Sequence, residues 1–222
     1  MSIYFFVLYM DTMDTMDSNF ITEKYQEKFT NHIFKLCLKM IKLPDLHRNI
    51  YICCDRNDKY IEKFAHNLLL SSVPKINIYY QKWMAPPGGK IDNFQFIDKA
   101  LKDSEIVLLV GSTYLFSLSD YIRCGIEEKI IIPIWFEGNF NEIFPGRFQV
   151  LPGQSFMDNY YDAFFKLMVD LYKLDPIDNQ IYDTRDKFYR LLQNQSMYNE
   201  FVENEIKRET EDNNEIMKML GI

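Results

Sequence analysis

The sequence predicts an α/β domain built on a mostly parallel sheet with helices on both sides. Three observations carry this. Short apolar runs of strand-forming residues alternate with segments whose apolar residues recur at helical spacing. The runs "NIYICC", "KINIYY", "EIVLLVG" and "KIIIPIWF" are apolar on both faces, as strands are when helices cover a sheet on both sides. The chain of 222 residues is 47% hydrophobic and 16% aromatic, which is enough to fill a full-sized core.

The elements follow in order. "MSIYFFVLYM" is apolar but short, and a membrane span needs about 20 apolar residues. It has no basic region and no small-residue cleavage site, so it reads as an N-terminal extension or a loose first strand. From Phe20 to Ile41 a helix is expected, with Tyr25, Phe29, Ile33, Leu36, Cys37 and Met40 facing inward, ended by Pro44. "NIYICC" is the first strand. "KYIEKFAHNLLL" is a helix with Ile61, Phe64, Ala65, Leu68 and Leu69 on one side, and "KINIYY" is a second strand. "WMAPPGGK" reads as a loop by composition. "FQFIDKALK" is a helix buried through Phe94, Ile97 and Leu101, followed by the strands "EIVLLVG" and "KIIIPIWF". "YDAFFKLMVDLYKL" is a helix on Phe164, Phe165, Met168 and Leu171. "DPIDNQIYDTRD" reads as a linker, and Phe188 to Ile206 as a helical tail. The organisation expected is an N-terminal extension over 1–48, the α/β domain over 49–175 and a C-terminal linker and helical tail over 176–222.

Composition excludes some functions. The net charge of −7 argues against a nucleic-acid binder, because affinity for phosphate backbones comes from Lys and Arg. Cys37, Cys53, Cys54 and Cys124 lie in apolar surroundings and read as buried free thiols of a reducing, cytoplasmic compartment. His32, His47 and His66 are scattered, so no metal site is proposed. GxSxG, P-loop and GxGxxG motifs are all missing from the sequence. "PPGGK" lacks the Lys-Ser/Thr that would open a phosphate-binding helix.

The first strand breaks off into "DRND". A strand buried on both faces must turn polar where it leaves the sheet, and parallel sheets meet ligands or partners beyond their carboxyl ends. Asp55, Arg56 and Asn57 are therefore candidates for contact, while Asp58 suits a helix cap.

Taken in order, these segments resemble a TIR (Toll/interleukin-1 receptor) domain, closest to those of animal adaptors. "IYICCDRND" is similar to the family's first box, and "APPGGKI" to the second, with Pro87 and Gly88 at the Pro-Gly positions. "FIDKALKDSEIVLLVGSTYLFS" resembles the helix and strand leading to a Ser-x-x-Tyr-x-x-Ser segment, and "KIIIPIWF" the fifth strand with its Ile-Pro. The resemblance covers roughly Asn49 to Leu174. It implies a flavodoxin-like fold of five mostly parallel strands flanked by helices, here with N- and C-terminal helical extensions.

It also implies one of two activities. Many such domains are intracellular scaffolds that bind other TIR domains as homo- or hetero-oligomers in innate-immune signalling, without a cofactor. Others hydrolyse NAD at the nicotinamide–ribose bond with a Glu that follows the Ser-x-x-Tyr-x-x-Ser segment. This sequence departs from the second pattern. "SLSDYIRCGIEE" lacks the family's Trp and Glu; one count places the position at Asp120 and another at Arg123, and Glu127 and Glu128 lie too near the next strand. Asp120 is thus the catalytic candidate only under the alternative of an NAD hydrolase. The second box departs too, with Trp83 and Met84 before the Pro-Gly. The expected function is a TIR-type adaptor that binds partners through Trp83, Met84, Pro87, Gly88 and Gly89 with Asp55, Arg56 and Asn57, without nucleic acid or membrane insertion.

Overall fold

The structure, a computed structural model, describes residues 15–42, 47–54, 60–72, 76–84, 93–111, 129–144, 146, 148–149, 151–172 and 175–220. The chain divides into two units, one spanning Cys37–Arg185 and one formed by the described parts of 1–36 and 186–222.

The first unit is the α/β layer. Its strands are β1 (Arg48–Cys53), β2 (Ile76–Tyr79), β3 (Ile106–Val110), β4 (Ile130–Trp135) and β5 (Gln154–Ser155). They form one sheet in the order β2-β1-β3-β4-β5, and every pairing is parallel. This is the doubly wound, flavodoxin-like order. Register follows the apolar runs: Ile50 lies opposite Ile78 on one side and Ile106 on the other. "KIIIPIWF" is therefore the fourth strand of the described sheet, not the fifth, and the two-residue β5 forms the edge.

The first β–α–β crossover runs through α2 (Ile61–Ser72). The chain then returns through the one-turn α3 (Gln81–Met84) and α4 (Asn93–Asp103) to β3 on the far side of β1. Right-handed crossovers in opposite directions put α2 and α4 on opposite faces. On the α4 face, Phe96, Ile97, Ala100 and Leu101 pack on Tyr51, Cys53, Val107 and Leu109, with Phe144 and Phe148 closing the layer. The alternate residues Ile50, Ile52, Ile106 and Leu108 point the other way and are equally buried. On that face Phe64 of α2 meets Phe164 of α6 (Tyr160–Tyr172) edge-on at 5.8 Å. Each such side chain contributes about 1.5–3 kcal/mol by leaving water, which is why runs apolar on both faces become these strands.

Two local features shape the β4 side. Ile134 accepts from the Gly111 amide across β3, and Trp135 from Phe156 on the β5 side. Pro133, one residue earlier, thus turns its missing donor toward β5, ahead of the point where β5 pairing begins. Gly153 fits that approach, since a Cβ there would stand 2.7 Å from the Pro133 carbonyl. Between β4 and β5 lies a short helix, α5 (Phe140–Ile143), capped by the Asn139 side chain.

In the second unit, α1 (Thr15–Leu38) pairs with α8 (Gln195–Leu220). Lys24 and Lys28 reach Glu209, Lys28 also reaches Glu205, and Phe29 meets Tyr198 and Phe201. Contacts rise along α1 as they fall along α8, so the two helices are antiparallel. Phe34, outside the expected stripe, is fully buried against Phe188, whereas Leu36 and Met40 stay exposed. A helix covered on more than one side does not follow a single stripe. The linker expected at "DPIDNQIYDTRD" is instead part of α7 (Asp175–Leu192). Ile181, Thr184 and Phe188 bury one line of it, and Pro176 is tolerated because it falls in the first turn.

Candidate functional site

In this topology the sheet reverses its winding between β1 and β3, and ligands or partners are met beyond the carboxyl ends there. β1 ends at Cys53 and Cys54, both buried. Burial pushes the Cys53 thiol up to about 12 against the hydrogen bond from Tyr51. It is a neutral packing group, not a thiolate nucleophile. β3 is followed by Gly111, where a Cβ would stand 2.6 Å from Ile143 Cδ1 and 2.8 Å from Phe144 Cε2. A side chain at that position would have to displace the Ile143 tip and the buried Phe144 ring.

Aromatic side chains gather around this edge. Tyr60, just before α2, stacks on Phe136, just after β4, with planes 14° apart and centroids 5.5 Å apart. The Tyr60 hydroxyl donates to Glu137 at 3.3 Å. Phe136 continues onto Phe64 and Phe156. The stack thus ties the start of α2 to the end of β4. Farther back, Asn67 donates to the Tyr160 hydroxyl at 2.9 Å, and burial raises the phenol's ionisation well above its ordinary range.

The β2 corner carries the sequence-predicted pair Trp83 and Met84. They lie on the helical turn α3, not in a loop: the Trp83 and Met84 amides both donate to the Tyr80 carbonyl, at 3.0 and 3.2 Å. Gln81 at the start of the turn is buried, so the turn is anchored to the domain. Trp83 is half-buried and folds back on the domain, with its ring 4.8 Å from His66 and 5.3 Å from Tyr80. Lys82 pairs with Glu62 one helical turn before His66, and that hydrogen bond lowers the Glu62 carboxyl. α2 therefore holds α3 through a ring pair and an ion pair. Met84 remains 46% exposed beside the fixed Trp83.

The other predicted residues, Asp55, Arg56, Asn57, Pro87, Gly88, Gly89 and Asp120, lie outside the described residues. Sequence reasoning did not single out His66, Glu62 and Lys82 as the supports of Trp83. The signal was there in the spacing of Glu62 and His66, which puts both on one line of α2. Nothing in the sequence marked the Tyr60–Phe136 stack, which joins distant segments. Among the described residues, no three of His, Cys, Asp or Glu stand together as metal ligands would. None of their helices is long and apolar enough to cross a membrane.

Strand order and parallel register define this unit as a flavodoxin-like α/β domain. The chain matches no family model and no curated protein. Among solved structures it is similar to a prokaryotic SEFIR domain, at 16% identity, over 56% of this chain and 98% of that one, with a TM-score of 0.39. The fold assignment rests on the strand order and register.

Proposed function

We propose that the α/β unit is a TIR-type association domain of a cytoplasmic signalling adaptor. It binds a second domain of the same kind through the β2 corner of its carboxyl edge. The observation that carries this is Met84, an exposed apolar side chain on a turn that the buried Gln81 and the Trp83–His66 ring pair anchor to the domain. A flexible thioether beside a fixed aromatic ring is a common anchor in protein contacts. The proposed surface extends from Met84 into Pro87, Gly88 and Gly89 and includes Asp55, Arg56 and Asn57 after β1. It needs no cofactor.

The test is self-association, and association with other TIR domains, of the purified chain and of Met84→Glu. A charge placed at an apolar anchor costs about 1.4 kcal/mol or more, so binding weakens at least about tenfold. Equal affinity for the two proteins would remove Met84 from the surface and the reading with it.

A further inference from the structure

We propose that α8 pairs antiparallel with α8 of a second copy of this chain, about a twofold axis through residue 210. The proposal concerns the helical unit and does not rest on the β2 corner.

Between α1 and α8 lies a groove of about 400 Å³. Phe29, Ile33, Met197 and Phe201 supply its apolar lining, and Glu200, Glu205 and Arg208 its charged lining. At the far end of α8, residues 211–219 are all exposed. They include Ile216 at 52% and Met219 at 77%. Phe201 and Met219 are about 27 Å apart along one helix at about 1.5 Å per residue. The tip of α8 therefore cannot bend back into its own groove, but the tip of a second copy can enter it.

The pattern along α8 is self-complementary. Phe201, Arg208, Asp212 and Met219 are spaced seven, four and seven residues apart. At about 100° per residue they fall within about 40° of one line. A twofold axis at residue 210 exchanges Phe201 with Met219 and Arg208 with Asp212. Each Met219 then enters the other copy's groove against Phe201, and each Arg208 faces the other copy's Asp212. Arg208 donates to Glu205 through Nη2 at 2.9 Å and keeps further N–H donors for Asp212. Asp212 has no ion-pair partner among the described residues. Glu205 falls opposite the second copy's Glu215, but Lys28 and Arg208 already neutralise it. A parallel pair would set Arg208 on Arg208 and leave both grooves empty, so the antiparallel arrangement is selected.

The charges give a decisive test in the full chain by sedimentation equilibrium. Wild type forms a dimer. Arg208→Asp and Asp212→Arg each convert two attractive pairs into two repulsive ones and weaken the dimer about thirtyfold. In an equimolar mixture of these two variants both 208–212 cross-pairs are again complementary, so a heterodimer forms and is tighter than either variant's homodimer. Met219→Asp, which leaves the ion pairs intact, also weakens the dimer by placing a charge in the groove. Met84→Glu leaves this charge-swap pattern unchanged, which separates it from any association through the β2 corner. A monomeric wild type, single variants that dimerise like wild type, or a mixture no tighter than its components would each overturn the proposal.

Discussion

Glu209 offers the most direct check on the helical unit. Its carboxylate accepts from Lys28 at 2.7 Å, Lys24 at 3.1 Å and the Tyr25 hydroxyl at 3.0 Å. The hydrogen bonds from Lys28, Lys24 and Tyr25, in that order, hold its ionisation down at about 2, against 4.5 for a free carboxyl. A depressed folded value stabilises the fold above the unfolded value, and the gain is lost as pH falls through the folded one. The full shift is equivalent to about 3.4 kcal/mol at 1.36 kcal/mol per unit. Glu209 is only slightly buried and its side chain is a third exposed, so solvent screening cuts this to about 1 kcal/mol. Glu209→Gln should therefore cost the α1–α8 pair about 1 kcal/mol at pH 7. The difference from wild type should shrink below pH 4.5 and be nearly gone near pH 2. Because the chain has two units, the readout is amide hydrogen exchange of α8 around residues 205–209, not a single global transition. A wild-type advantage that persists at pH 2, or is missing at pH 7, would refute the assignment.

Two further predictions concern the α/β unit. Gly111→Ala sets a Cβ against Ile143 and Phe144 and should cost about 1–3 kcal/mol as overpacking, read from amide hydrogen exchange of β3. Cys53, buried with its thiol pushed up to about 12, should stay unreactive toward a thiol reagent at pH 8 in the folded protein and react at once in denaturant.

The strands were legible because a strand buried on both faces needs an unbroken apolar run, and such runs are local. Ile50 to Cys53 and Ile106 to Val110 carry that signal in a few residues each. β5 carries none, because two residues cannot show a period. α7 was hidden for a different reason: its buried line of Ile181, Thr184 and Phe188 is interleaved with Asp, Asn and Gln, which read as a linker. Trp83 and Met84 lie on a helical turn where a loop was expected, because the neighbouring Pro and Gly residues coloured the whole segment. What fixes them, His66 and the Lys82–Glu62 pair, comes from α2. The α1–α8 pairing is farther from local reach. Lys28 and Glu205 are 177 positions apart, and only a fold that returns the chain to its start can introduce them.

The helical turn changes what the β2 corner can do. Ordering one backbone residue costs about 1–2 kcal/mol, and a flexible loop would meet that cost at the moment of binding. In α3 the Tyr80 carbonyl, the buried Gln81 and the ring pair of Trp83 with His66 have already met it during folding. In the proposed contact, the energy gained by Met84 would therefore not be spent on ordering its own platform. By the same reasoning the proposed surface would use Trp83 mainly as a support: its ring is committed to His66 of α2 and to Tyr80, and its removal would act on the proposed contact by loosening Met84. The two residues that the sequence offered as equivalent anchors thus differ in structure, Trp83 packed on the domain and Met84 exposed beside it, and in the proposed contact the first would hold the surface that the second presents.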